Sequence, residues 1–132
     1  MTTECPFCYV DEARQLFSND FAISIADTFP VTRGHCLIIP KRHFTSFFES
    51  TEEERTALWV LADQTRQYLI TEYAPDGFNI GINDGVSAGQ TIMHLHIHLI
   101  PRYLGDSADP RGGVRWIIPK NAPYWKKEFG GT

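Results

Sequence analysis

The chain has 132 residues, 42% of them hydrophobic and 21% charged, with a net charge of −4. That length buries a core without disulfide staples, and the mild acidity gives no electrostatic case for duplex nucleic acid, which asks for a basic face. No window approaches the roughly 20 apolar residues that span a bilayer, and the opening MTTECPF carries no charged leader before an apolar run, so one cytoplasmic domain over residues 1–132 is expected, without a membrane partner.

In chain order, Cys5 and Cys8 come first, as a C-x-x-C that reads as a metal or redox pair. Residues 21–26 (FAISIA) predict a strand, and the segment that follows, with Pro30 and Gly34, a turn. Residues 35–39 (HCLII) predict a second strand stopped by Pro40, with Cys36 a buried thiol and Lys41-Arg42 a solvated turn. Ser50 or Thr51 caps a helix, and Glu54 stands three residues after Thr51, as a capping box requires. Leu58, Leu61, Ala62, Thr65, Tyr68 and Leu69 then keep a helical period, so a helix runs over 51–73 and ends at Pro75-Asp76-Gly77. Its opening run of Glu52, Glu53 and Glu54 suits the positive end of the helix dipole. Residues 78–83 (FNIGIN) predict a third strand, 84–89 a glycine-bearing loop, and 91–100 a long fourth strand ending at Pro101. The tail, 102–132, holds one more predicted strand at 114–118. Strands around one dominant helix give an antiparallel α+β domain.

Three of the five histidines fall at His94, His96 and His98. On a strand, residues two apart share a face, so three imidazoles line one side while Met93, Leu95, Ile97 and Leu99 line the other. One reading is a metal site, since H-x-H on a strand chelates well. Distance limits it: at about 3.3 Å per residue, the Cα atoms of His94 and His98 stand roughly 13 Å apart. At least one histidine is left for other work. The second reading is nucleophilic catalysis on phosphorus, because imidazole near neutral pH offers a lone pair and forms covalent intermediates. Asn83, Gln90 and Thr91 supply polar groups nearby.

The run His94-Leu95-His96-Ile97-His98-Leu99-Ile100 matches, position for position, the signature that names the histidine triad family. Asn83-Asp84-Gly85 with Gly89-Gln90-Thr91 resembles the loop before that signature, and Gly34-His35 through Pro40-Lys41-Arg42-His43 resembles an earlier strand of the family. The resemblance implies an α+β fold with an antiparallel sheet of about five strands, one long helix and one short helix. It implies a hydrolase, or a nucleotidyl transferase to water, that cleaves a dinucleoside polyphosphate or a phosphoramidate through a nucleotidyl-histidine. His98 stands where uridylyltransferase relatives carry glutamine, which favours water as acceptor.

By the same resemblance, His96 attacks the α-phosphorus, His98 binds phosphate oxygens or the bridging atom, and His94 and His35 hold the pair in position. Asp27 takes the ribose hydroxyls, Asn83, Gln90 and Thr91 the phosphate, and Phe7 and Ile25 the base, usually adenine. Short-chain relatives carry a structural zinc; its ligands here would be Cys5, Cys8, His43 and His94, with no organic cofactor. The family is commonly homodimeric, and Trp59 and Val60 lie off the helix's apolar stripe. Arg111 and Arg115 in the tail are read either as reaching distal phosphates or as packing. The alternatives are a nucleotide-binding protein with little turnover and a metal-dependent hydrolase that uses triad histidines as ligands.

Overall fold

Thr51 and Glu54 begin the longest element. In the computed structural model, which describes residues 5–126, Thr51 Oγ1 accepts from the Glu54 backbone N–H at 3.1 Å, and the Thr51 N–H donates to Glu54 Oε1 at 2.8 Å. This reciprocal cap satisfies two of the orphan donors that every helix start leaves open. Helix α1 (Glu52–Tyr73) follows. Glu54, Leu58, Leu61, Ala62, Thr65 and Leu69 are buried along one face, while Trp59 and Val60 stay 43% and 58% exposed. Ala74 closes the helix in the left-handed conformation, its N–H donating to Ile70 O.

The described chain divides into two compact units, residues 5–102 and residues 103–126. In the first, β1 (Gln15–Ser18), β2 (Ala22–Ala26), β3 (Cys36–Pro40), β4 (Gly77–Ile82) and β5 (Ile97–Arg102) form one antiparallel sheet in the order β1-β2-β3-β5-β4. The α+β class and five-stranded sheet are those the sequence led one to expect. Strand β1 was not foreseen: its four residues show no alternation that marks them off from the loop.

One side of the sheet packs on α1. Ala22, Ile38, Phe44, Leu58, Leu61, Leu95 and Ile97 form one buried cluster there, and Cys36, Leu69 and Leu99 another. Each fully buried leucine contributes about 1.5–3 kcal/mol. The opposite side carries Ile23, Ile25, Leu37 and Ile39, against which Phe7 and Val10 pack. Gly34, just before β3, sits at φ +86, and a Cβ there would lie 3.1 Å from Tyr73 and 3.3 Å from Pro101. Only glycine fits that approach.

Two expected strands differ. The strand expected over 91–100 starts at Ile97. Upstream of it the backbone turns to the segment after β3: Leu95 N–H donates to Phe44 O at 2.8 Å, and Thr45 Oγ1 donates to Met93 O at 3.2 Å. Met93 is consequently 39% exposed rather than packed in the core. The strand expected at 114–118 is a 3-10 helix, Gly113–Ile117. Within the second unit, Arg115 N–H donates to Gly112 O and Trp116 Nε1 to Arg111 O, local bonds that pre-empt a sheet ladder. Arg111 pairs with Asp109 and lies over the Trp125 ring, and Arg115 donates to the Ala122 and Asn121 carbonyls. Both arginines thus have packing roles in their own unit.

Arg42, expected in a solvated turn, instead forms a bidentate pair with Glu54 at 2.8 and 2.9 Å. The hydrogen bond from Arg42, helped by Thr51 and opposed by burial, holds the Glu54 carboxyl down at about 2, against an ordinary 4.5. A carboxyl depressed on folding stabilises the native state above its ordinary value and loses that contribution as pH falls toward the folded value. Thr51→Ala is expected to cost about 1 kcal/mol, and Glu54→Ala more, since it removes both the cap's return bond and Arg42's partner. In urea unfolding the Glu54→Ala deficit narrows as pH falls from 4.5 toward 2; a pH-independent deficit contradicts the assignment.

Candidate active site

Where β3 and β5 run side by side, Leu37 pairs in register with His98. The pleat sends Leu95, Ile97 and Leu99 toward α1, and His96 and His98 to the other side. There a cleft of about 230 Å³ is lined by His96, His98, Phe7, Asp27, Asn83 and Thr91, together with Leu37, Phe29, Gly89 and Ile92. A larger, more open groove of about 640 Å³ runs beside α1 between Phe21 and Val60, but no histidine or cysteine lines it. Convergent imidazoles mark the smaller cleft as the chemical one.

Hydrogen bonds assign the ring protons. His96 Nδ1 lies 2.9 Å from the backbone oxygen of His94. A carbonyl only accepts, so Nδ1 carries a proton, and in the neutral ring Nε2 keeps its lone pair. His35, buried beneath the cleft, accepts from the Val31 N–H at Nδ1, 3.1 Å. Its remaining proton therefore sits on Nε2, 3.0 Å from His98 Nδ1 and 3.3 Å from Asp27 Oδ2. His98 Nδ1 is then an acceptor, and neutral His98 carries its proton on Nε2. The two neighbours, with ring centroids 5.1 Å apart, hold opposite tautomers. Burial, then the nearby His96 and His35, push His98 down to about 4 against the pull of Asp27, and burial also lowers His35.

His94 does not share that cleft. Its Nε2 donates to the Pro40 carbonyl at 2.9 Å, which turns Nδ1 toward Cys5 Sγ (3.3 Å), Cys8 Sγ (3.6 Å) and His43 Nδ1 (3.1 Å). Cys8 Sγ is 3.3 Å from His43 Nδ1, and all four donor atoms lie within 4.8 Å of one another. Zn–N near 2.05 Å and Zn–S near 2.3 Å give tetrahedral edges of roughly 3.3–3.8 Å. Two thiols and two imidazole nitrogens at these distances fit such an ion, and the Pro40 bond supplies the outer support that metal-binding histidines usually have.

The expected residues thus separate into three groups. His96, His98, Asp27, Asn83, Thr91 and Phe7 line the cleft. Cys5, Cys8, His43 and His94 form the metal-capable cluster, and His35 lies behind the cleft. Two expectations are corrected. Gln90, expected on phosphate, is 3% exposed; its amide accepts from Gly85 N–H and donates to the Thr45 and Ile92 carbonyls, so it braces the loop. Ile25, expected against a base, is 1% exposed among Ile23, Leu37 and Ile39, so it is core. Leu37 takes its place at the cleft; its identity resembles that of any core strand residue, and only its pairing with His98 marks it. Cys36 is a buried thiol as expected, pushed up to about 12 by burial.

A model of the HIT domain matches residues 10–105. An uncharacterized HIT-like protein of Mycoplasma genitalium is 36% identical over 106 residues, 77% of this chain and 75% of its own. A bis(5'-adenosyl)-triphosphatase of Dictyostelium discoideum is 34% identical over 93 residues, 70% of this chain and 62% of its own. A Zn-bound histidine triad family protein from Mycobacterium smegmatis superposes with TM-score 0.66 at 32% identity, over 72% of this chain and 69% of that one.

The tautomer assignment has a direct readout. His98, with a folded value near 4 against an ordinary 6.5, stays neutral as pH falls while the unfolded chain takes up the proton, so it lowers stability between those values. In an NMR titration its ring resonances are expected to move with a midpoint near 4 and to show the Nε2–H form above it; a midpoint near 6.5 contradicts the buried chain of bonds.

Proposed function

From the premise that the chain belongs to the histidine triad family, its HIT domain spanning residues 10–105, we propose that it cleaves a nucleoside phosphoanhydride or phosphoramidate to a nucleoside monophosphate. The observation that carries this reading is the 2.9 Å bond from His96 Nδ1–H to the His94 carbonyl. It leaves an unprotonated Nε2 on a residue that lines the cleft, as a nucleophile must be.

In the proposed reaction His96 Nε2 donates its lone pair to the α-phosphorus. The P–N bond forms as the bond from phosphorus to the bridging oxygen or nitrogen breaks, and the leaving group departs with that electron pair. His98 Nε2–H donates a hydrogen bond to the departing atom or to a phosphate oxygen, stabilising charge where it accumulates. Water then attacks the phosphorus of the nucleotidyl-histidine: the new P–O bond forms as the P–N bond breaks, the electron pair returns to His96 Nε2, and the water's proton passes to solvent as the monophosphate leaves. Asn83 and Thr91 contact phosphate oxygens, Asp27 the ribose hydroxyls, and Phe7 and Leu37 the base. Adenine is the assigned base, since the Dictyostelium relative is a bis(5'-adenosyl)-triphosphatase.

Cys5, Cys8, His43 and His94 would hold zinc, a reading supported by their distances and by the Zn-bound mycobacterial relative. Four protein ligands leave no open position, so the ion would supply structure and no catalytic step. Exposed Trp59 and Val60 support assigning a homodimer contact to α1. Three free cysteines suit a reducing cytoplasm, and among the described residues no helix is long and apolar enough to cross a membrane.

The deciding experiment compares kcat/KM on diadenosine polyphosphates and on an adenosine phosphoramidate, with His96→Ala as control. The variant is expected to lose at least about 10³-fold, and acid quenching of the wild type traps a nucleotidyl adduct. Retained turnover in the variant overturns the mechanism, and tight nucleotide binding without turnover in the wild type reassigns the protein as a binder.

A further inference from the structure

We propose that the cysteine turn and the cleft are one linked binding unit: zinc at Cys5, Cys8, His43 and His94 raises the affinity of the cleft for a nucleoside monophosphate, and the nucleotide raises the affinity for zinc by the same factor. The proposal rests on the readings of the cleft and of the four donors given above.

Two physical connections carry it. The first is Phe7, which lies between the two cysteines. Residues 5–8 form a turn closed by the Cys8 N–H to Cys5 O bond at 3.2 Å. The sulfurs of that turn reach His43 and His94, and the ring between them reaches His94 and His96. Phe7 packs edge-on to His96, with centroids 5.1 Å apart, and to His94 at 6.1 Å, and it forms one wall of the cleft. Whatever fixes the two sulfurs therefore fixes a wall of the cleft against the proposed nucleophile. Residues 5–10 lie in no strand or helix, so besides the turn Phe7 has only its packing on the Ile23, Ile25, Leu37 and Ile39 side chains to hold it.

The second connection is His94, which works on both sides. Its ring nitrogens join the sulfur cluster and the Pro40 carbonyl, and its own carbonyl takes the His96 Nδ1 proton. A shift of the His94 backbone moves the group that sets the His96 tautomer. The donor cluster also has an electrostatic place for an ion. Two His nitrogens 3.1 Å apart cannot both present lone pairs to each other without a proton or a cation between them. An ion there holds His94 in place, and the turn with it. A nucleotide base resting on Phe7 stabilises the same arrangement from the cleft. Two ligands that favour one conformation are coupled, and the coupling is reciprocal.

Cys5, Phe7 and Cys8 lie upstream of the matched domain, residues 10–105, and His43, His94 and His96 lie within it. Phe7, a base contact in the proposed reaction, acts on zinc through the turn it belongs to, and that effect is read in metal affinity.

The test measures zinc affinity by competition with a chromophoric chelator, with and without saturating adenosine 5'-monophosphate. It uses the full chain, the Phe7→Ala variant and the Thr91→Ala variant. Wild type is expected to hold zinc roughly 10-fold more tightly with the monophosphate, within the 5–150-fold range common for coupled sites. Phe7→Ala, which keeps all four donors, is expected to hold zinc as wild type does without nucleotide and to lose most of that gain. Thr91→Ala, in the cleft but outside the turn, weakens monophosphate binding and keeps the gain at saturation. Calorimetry on the loaded protein checks saturation. Equal zinc affinity with and without nucleotide in wild type, or an equal gain in wild type and Phe7→Ala, overturns the linkage. Loaded protein that binds no monophosphate overturns the reading of the cleft, and nucleotide binding by a protein that takes up no zinc overturns the reading of the donor cluster. Either result removes the linkage as well, and each is recognisable separately.

Discussion

The alternation of side chains along residues 95–99 is the constraint on which the molecule is built. Leu95, Ile97 and Leu99 are each about 1% exposed or less and are locked between the sheet and α1. Because the period of an extended chain is two, burying those three forces His96 and His98 to the opposite side, His98 in register beside Leu37 on β3. A slip of one residue would put imidazoles into the hydrophobic core and leucines into the cleft. The apolar core thus protects the register of the polar site, and long helix α1, secured by its cap and by the Arg42–Glu54 pair, holds that core shut.

Hydrogen bonding then makes three chemically identical side chains different. His96 gives its Nδ1 proton to a carbonyl, His98 accepts at Nδ1 from His35, and His94 gives its Nε2 proton to Pro40. Each bond decides which nitrogen faces outward and whether it carries a lone pair or a proton. In the proposed reaction one imidazole is the nucleophile and its neighbour a donor, while the third is a metal-capable ligand. Val31 and Asp27 complete the series by setting the state of His35. The proposed division of labour is thus written in backbone carbonyls and amides as much as in the histidines themselves.

The elements that diverged from expectation share one cause. Residues 91–96 alternate as a strand should, yet their hydrogen bonds go to Phe44 and Thr45 and to the loop braced by Gln90. Residues 114–118 are apolar and β-prone, yet Gly112 in the left-handed region, φ 89, lets the chain coil into a 3-10 turn. Gln90 and Ile25 were expected near ligand by the family resemblance, and the structure shows both engaged in internal contacts. Local pattern records what a residue is suited to contact. It does not record which partner arrives.

The sequence alone led to the α1 cap and period, to strands expected at 21–26, 35–39 and 78–83, which the structure places at Ala22–Ala26, Cys36–Pro40 and Gly77–Ile82, and to the limit of reach that keeps all three triad histidines off one ion. These are legible because periodicity, capping and rise per residue are local properties of the backbone. Tertiary structure alone decided the short first strand, the tautomer of each imidazole, the pairing of Arg42 with Glu54 and the distances at which Cys5 and Cys8 meet His43 and His94. Those depend on groups brought together from positions as far as 89 residues apart, and a contact across that span exists only once the sheet has closed.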